Sequence, residues 1–199
     1  MKNIEAINLL VDKLRRLPGV TEKQANNICN SLIASNNEEV DSLILLIKNL
    51  KKSVKLCKQC NNISQNDLCE ICSNSLRNTK QLCIVNSCDD IEKIEQTNSY
   101  LGLYLVVPCG NIKKKKLINE HSIFQFKELM NKFQFTDILI ATNLTPNGEA
   151  TAFYLKKIIN DIFPNVNLYR IAIGLPLNSN LSYSDVETLS MAIKNKTRY

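Results

Sequence analysis

Four cysteines carry the strongest chemical signal in this chain. They stand as Cys57-Lys58-Gln59-Cys60 and Cys69-Glu70-Ile71-Cys72, two Cys-x-x-Cys pairs separated by eight residues. Each pair can supply two thiolates from one tight turn, and four thiolates at this spacing can surround a single tetrahedral zinc ion. A site closed by four sulfurs leaves no position for water, so one structural zinc is the cofactor expected, with no catalytic role. The segment around it holds few large apolar side chains and needs the metal to fold. Redox-active cysteine pairs are the competing chemistry, and two pairs in register favour zinc. Cys29, Cys83, Cys88 and Cys109 lie in apolar or strand-like surroundings and read as buried thiols.

A second pattern is Leu14-Arg15-Arg16-Leu17-Pro18-Gly19-Val20-Thr21. A tight turn pivoting at Gly19 between two helices can present backbone N–H groups to a DNA phosphate. Arg15, Arg16 and Lys23 flank the turn and add charge to a contact that ignores base sequence and weakens with salt. Thr21 stands where such hairpins carry a second glycine, and its β-branch stiffens the backbone. The bland alternative is a plain helical turn. A third stretch, Ala141 to Ala152, leaves a strand and enters a helix, the place where α/β folds bind ligands. It lacks the Gly-Lys-Ser/Thr ending of a phosphate-binding loop. Glu149 there falls in the first helical turn, where it favours the helix dipole. Lys113, Lys114, Lys115 and Lys116 form a cationic run suited to DNA or a partner, or to a solvated loop. His121 follows it and reads as exposed.

The elements that must position these groups follow from periodicity. Ile4, Ile7, Val11, Leu14 and Leu17 share one helical face over residues 3–17. Pro18-Gly19 breaks that helix, and Thr21 with Gln24 forms a capping box that starts a second near Glu22. Ala25, Ile28, Cys29, Leu32 and Ile33 line its inner face. A third helix, Glu38 to Lys52, is expected to bury Val40, Leu43, Ile44, Ile47 and Leu50. Strands are expected at Leu82–Val85, Tyr104–Val107, Ile138–Ala141 and Leu168–Ile171, with helices at 89–96, 122–133 and 148–162 between them. Strand and helix in alternation imply a mostly parallel sheet covered on both faces. The tail is expected to end in a helix over Asp185–Lys194. The fold class is multidomain, α followed by α/β, in four parts: a helical unit over 1–53, a four-cysteine finger over 54–78, an α/β domain over 79–172 and a tail over 173–199.

Bulk properties narrow the classes further. The 199 residues are 44% hydrophobic and 22% charged, which excludes a disordered or collagen-like chain. No apolar run approaches the roughly 20 residues of a membrane helix, and Met1-Lys2-Asn3-Ile4-Glu5 opens no secretory leader, so a cytoplasmic protein without a membrane partner is expected. The net charge is +6, and the first sixty residues hold ten basic side chains against six acidic ones. A mildly basic front end suits nucleic acid.

The order of helical hairpin, four-cysteine site, α/β domain and short tail resembles the RecR family of bacterial recombination mediators over essentially the whole chain. The likeness is carried by Leu17-Pro-Gly-Val20, Cys57 to Cys72, Ile71-Cys-Ser-Asn74, Asp90-Ile91, Ile94-Glu-Gln-Thr97, Ala141-Thr-Asn143, Gly148-Glu-Ala-Thr-Ala152 and Arg170-Ile-Ala172 with Gly174 and Pro176. The resemblance implies a helix–hairpin–helix unit, a zinc finger and a Toprim domain. It also implies a non-enzymatic protein that forms ring-shaped tetramers around single- and double-stranded DNA. Such a protein works with RecO or RecF to load RecA, and associates with the nucleoid. By position, Lys23 is the implied phosphate contact. Asn143 and Glu149, in the Toprim region that meets RecO, are the implied partner contacts.

Several positions depart from the family pattern. Asn27 replaces an arginine four residues after Lys23, and Asn86 replaces the Toprim glutamate at the end of the first strand. A metal-dependent Toprim enzyme holds Mg²⁺ through that acid and a downstream Asp-x-Asp pair. Here Asp89 and Asp90 are adjacent and read as helix-capping residues. Cys109-Gly110-Asn111-Ile112 and the lysine run replace a Gly-His and Ser-Pro-rich loop. Asn178-Ser179-Asn180-Leu181-Ser182 replaces Gly-Gly-Asp-Leu-Glu. Two rival functions stay open: an adaptor that no longer touches DNA, and a degenerate Toprim phosphoryl-transfer enzyme.

Overall fold

The computed structural model describes residues 4–110 and 118–196. The chain divides between Val54 and Lys55 into two compact units.

The first unit holds α1 (Glu5–Leu14), α2 (Glu22–Ala34) and α3 (Asn37–Ser53). Helices α1 and α2 pack through Val11, Ala25 and Cys29, with Ile7, Leu14 and Val20 around them. Between them Gly19 takes φ of +77°, a left-handed conformation that costs a side chain strain. Thr21 caps α2 in a reciprocal box with Gln24, as its sequence requires. The third helix departs from expectation, because α3 buries no side chain. Leu43, Ile44, Ile47 and Leu50 are exposed and Val40 is half-buried. Its apolar residues run consecutively, Leu43-Ile44-Leu45-Leu46-Ile47, so they circle the helix instead of forming one stripe. Leu17, Ile28 and Ile33 are likewise exposed in place of lining a core.

The second unit opens on a two-stranded antiparallel ribbon, β1 (Lys55–Leu56) with β2 (Ile63–Ser64), and a single-turn helix α4 (Glu70–Ser73). Then come β3 (Asn78–Val85), α5 (Cys88–Glu95), β4 (Gly102–Val106), α6 (Glu120–Phe133), β5 (Asp137–Ile140), α7 (Pro146–Ile162) and β6 (Asn167–Arg170). The four long strands are parallel in the order β4-β3-β5-β6. Leu82 sits beside both Leu103 and Ile138, and Ile138 beside Leu168, which fixes the register. Side chains alternate across the sheet. Leu82 and Ile84 face α6 and α7, where Phe126, Leu129, Leu155 and Ile159 complete the main core. Cys83 and Val85 face Ile91 and Ile94 of α5.

The two faces are covered unequally. Two helices lie on one side and α5 alone on the other, so Tyr169, on the α5 side of edge strand β6, stays exposed. A nearly closed latch ties the start of β3 to α5: Arg77 pairs with Glu95, which also accepts a 2.6 Å hydrogen bond from the Tyr104 hydroxyl. The tail holds a 3-10 turn (Leu181–Tyr183) and α8 (Val186–Lys194), capped by Asp185 and burying no side chain. Cys29 and Cys83 are buried thiols as expected, whereas Cys88 and Cys109 are only half-buried. Cys88 opens α5 and Cys109 follows β4, so both stand at the rim of the sheet.

Candidate functional site

The four paired cysteines converge. The ribbon turn presents Cys57 and Cys60, while Cys69 occupies the N-cap of α4 and Cys72 its last turn. Their sulfurs all lie within 4.8 Å of one another, and three of the four residues are buried. A zinc ion with sulfurs at about 2.3 Å has tetrahedral edges of about 3.8 Å, so the cluster fits one such ion. The turn is shaped for it. Asn61 adopts φ of +62°, its N–H donates to the Cys57 carbonyl at 3.0 Å, and the Cys57 N–H donates to the Asn62 carbonyl at 2.7 Å. Two backbone donors aim at sulfur: Asn62 N–H at Cys60 (3.4 Å) and Cys69 N–H at Cys57 (3.3 Å). Such donors stabilise thiolates and orient them toward a metal. Hydrogen bonding among the thiols, Cys60 acting first on Cys57, drives Cys57 well below the ordinary thiol range and Cys60 well above it. Zinc removes the competition by holding all four as thiolates.

The metal segment is keyed to the sheet. Val106 N–H on edge strand β4 donates to the Cys60 carbonyl at 2.8 Å. Asn61 and Gln125 of α6 exchange side-chain amide hydrogen bonds, the return bond from Gln125 measuring 2.9 Å. Lys55 and Lys58 both pair with Asp67, which holds that carboxyl down at about 2. Neither the amide exchange nor the β4 contact was legible from spacing, since 64 residues separate Asn61 from Gln125.

The turn between α1 and α2 gathers Arg15, Arg16, Gly19 and Lys23 as the sequence suggests. The capping box satisfies the amides of Thr21 and Gln24. The amides of Gly19, Glu22 and Lys23 have no acceptor among the described residues. Arg15 leans on Glu22 at 3.5 Å, whereas Arg16 and Lys23 make no ion pair among the described residues.

A third region lies at the carboxyl ends of the strands. Strand β3 has β4 on one side and β5 on the other, so the topological switch point falls between β3 and β5, where open α/β sheets bind ligands. Here that crevice is closed by an amide. The Asn86 side chain accepts from Asn143 N–H at 2.7 Å and donates to the Val107 carbonyl at 2.9 Å, tying three strand ends together. Asp90 does not stand free as a metal ligand: it closes the capping box of α5 and accepts from Ser87 N–H at 2.8 Å. Thr142 is buried with its hydroxyl on the Gly148 carbonyl. A Cβ on Gly148 would stand 2.0 Å from the Asn143 carbonyl oxygen, so only glycine lets the loop close so tightly. Among the described residues the four cysteines are the one group of three or more potential ligands close enough to hold a metal.

Asn143 and Glu149 sit at this same end, both exposed, but Glu149 is engaged. Arg170 grips it at 2.5 Å and also donates to the carbonyls of Ile140 and Thr142, each at 2.8 Å. Arg170 thus braces the Asn143 loop, a role that no local sequence signal announced. His121 is exposed, as expected. Lys113, Lys114, Lys115 and Lys116 lie outside the described residues.

Comparisons with known proteins agree with this architecture. Residues 54–74 match the RecR four-cysteine zinc finger domain and residues 80–172 the Toprim domain. Similar curated proteins include Recombination protein RecR of Ureaplasma urealyticum, 39% identical over 191 residues that cover 96% of this chain and 94% of the relative. Another is Recombination protein RecR of Dehalococcoides mccartyi, 35% identical over 196 residues, with 97% and 94% covered. That of Mycobacterium tuberculosis is 32% identical over 192 residues, with 94% of each chain covered. The chain belongs to the RecR family. Its four cysteines form the structural zinc site of the RecR zinc finger, and its parallel sheet is the Toprim core. Among the described residues no helix is long and apolar enough to cross a membrane. A role in recombination and repair follows from RecR membership.

Proposed function

We propose that this RecR protein is a non-catalytic mediator that grips DNA through the α1–α2 turn and acts with RecO or RecF to load RecA on single strands. The observation that carries the reading is the turn itself: Gly19 in a left-handed conformation and, among the described residues, amides of Gly19, Glu22 and Lys23 left without acceptors, with Arg16 and Lys23 unpaired beside them. Backbone donors with adjacent cations suit a phosphate, bound without regard to base sequence. Arg15, held by Glu22, is the weaker contributor. The lysine run 113–116 adds charge for DNA or a partner. Asn143 and Glu149 form part of the partner-facing end of the Toprim domain. The exposed apolar residues of α3 support assembly into a homo-oligomer, a tetrameric ring by family resemblance, in the cytoplasm at the nucleoid. Absence of catalysis is supported by the switch point, where the side chains of Asn86 and Thr142 and the backbone N–H of Asn143 are spent on the fold.

One observation favours the adaptor reading, in which a partner carries the DNA contact. Glu22 places a carboxylate at the entry to α2, where a phosphate would approach. Fluorescence anisotropy with labelled single- and double-stranded DNA, from about 50 to 200 mM salt, decides between them. The mediator reading expects affinity that falls steeply with salt, and Lys23→Ala weakens binding and lowers the salt slope by about one. Folded, zinc-loaded protein that binds neither DNA at the lowest salt establishes the adaptor.

A further inference from the structure

A groove of about 610 Å³ runs between α7 and edge strand β6. Its aliphatic lining is spent on the fold, since Ile140, Ala152, Val166 and Leu168 belong to the main core or pack against it. What stays open to a ligand is aromatic and polar. Phe153 lies off the buried stripe of α7, which is Gly148, Thr151, Ala152, Leu155 and Ile159, and it is 73% exposed. Lys156 and Asn160 follow it three and seven residues on, which puts all three on one side of the helix, and both are exposed. Tyr169, 53% exposed, borders the groove from β6. The charge is not balanced. Arg170 and Glu149 pair with each other, whereas Lys156 makes no ion pair and Asn160 no side-chain hydrogen bond among the described residues.

We propose that this groove binds single-stranded nucleic acid, with one base stacked on the Phe153 ring and its phosphate on the Lys156 ammonium. Tyr169 offers a second ring to a neighbouring base. The Asn160 amide both donates and accepts, so it can meet the edge of any base. Exposed aromatic rings beside unpaired cations are how proteins hold single strands without regard to sequence. A protein segment fits less well, because the core already covers the aliphatic groups that would anchor it. A duplex offers Phe153 no free base face, since its bases stack on one another. The groove therefore selects single strands, whereas the α1–α2 turn accepts any phosphate. The proposal deepens the DNA-binding reading: it shares nucleic acid as the ligand and uses none of the residues of the turn.

The test uses the full zinc-loaded chain. It contains no tryptophan, so Phe153→Trp places a single reporter in the groove. An oligothymidylate should quench that fluorescence, and an abasic strand of equal length or a blunt duplex should not. By anisotropy, Phe153→Ala should weaken oligothymidylate binding about fivefold or more and leave the abasic strand and the duplex unchanged. Lys156→Ala should lower the salt slope for the single strand by about 0.7. Both side chains are exposed, and circular dichroism with zinc content verifies that the variants fold. Duplex binding that is lost in Lys23→Ala while Phe153→Trp stays unquenched keeps the turn and removes the groove. A quench that persists in protein indifferent to Lys23→Ala does the reverse. The proposal is overturned by an unquenched reporter at saturating oligothymidylate, or by Phe153→Ala weakening all three probes alike. It is equally overturned if Phe153→Ala changes only the sedimentation mass, which would make the occupant a second copy.

Discussion

Replacing Asn86 by alanine should destabilise the second unit by about 2–4 kcal/mol, because one side chain satisfies two buried backbone groups. Asn86 is 8% exposed; it accepts from Asn143 N–H at 2.7 Å and donates to the carbonyl of fully buried Val107 at 2.9 Å. Truncation orphans both. Each buried unsatisfied group costs about 1–3 kcal/mol, and a water entering the polar cavity recovers part of that sum. Aspartate gives a sharper comparison. It keeps an acceptor for Asn143 but turns a carboxylate on the Val107 carbonyl, close to Asp90, which already accepts from Asn86 N–H at 3.2 Å. Burial beside another acid raises the folded-state pKa of such a group. Asn86→Asp should therefore be destabilised near neutral pH and recover as pH falls and the protonated acid donates to Val107, a recovery absent from Asn86→Ala. All six tyrosines follow residue 99, so tyrosine fluorescence during urea unfolding reports this unit without a signal from the helices before it. Amide exchange at Asn143 reports the loop directly. An alanine variant within about 0.5 kcal/mol of the parent, with unchanged exchange at Asn143, would refute the assignment.

Two further perturbations test the frame around the sites. Zinc removal by a chelator, or Cys60→Ser, should unfold the segment from Lys55 to Ser73. It should also raise exchange at Val106, whose N–H is held by the Cys60 carbonyl; a protected Val106 amide in metal-free protein would contradict this coupling. Arg77→Met should remove part of the acid sensitivity of the second unit. Burial raises the Glu95 pKa, but the hydrogen bonds from Arg77 and Tyr104 outweigh it and hold the carboxyl below the glutamate range. Stability from this pair is then present above the unfolded pKa of about 4.3 and lost as pH falls through the lower folded value. Denaturation curves from about pH 6 down to pH 3 should converge for parent and variant, and parallel curves would show the latch to be inert.

The metal site was legible because its ligands are local: two pairs eight residues apart leave one geometry that brings four sulfurs together. The capping box at Thr21, the strands and the parallel sheet followed from equally short-range patterns, whereas Asp89 and Asp90 read as the caps of α5 and its N-cap is Ser87, with Asp90 closing the box. What sequence concealed was long-range or energetic. Periodicity placed Leu43, Ile44, Ile47 and Leu50 on a helix, but whether they are buried depends on what packs against them, and among the described residues they stay exposed. Asn86 read as the loss of an acid, whereas in the fold it is an amide that donates on one side and accepts on the other. A carboxylate could do only the second.

That substitution also bears on the proposal that this Toprim domain acts as a scaffold. A metal-dependent site at the switch point needs carboxylates whose lone pairs are free and whose burial is offset by a cation. Here Asn86 is committed to Asn143, Asp90 through one oxygen to the start of α5, and Glu149 through one oxygen to Arg170, which itself braces the Ile140 and Thr142 carbonyls, while Asp89 is exposed in the first turn of α5. Restoring a glutamate at Asn86 would not restore a site, because Ala141, Thr142 and Asn143 at the facing strand end supply no second acid. The same contacts fix the Asn143–Gly148 loop from beneath while leaving its outer residues exposed. Those exposed residues suit the partner-facing role proposed above. The zinc segment, joined to that end of the sheet through Cys60 and Val106, places a second exposed surface on the same rigid unit.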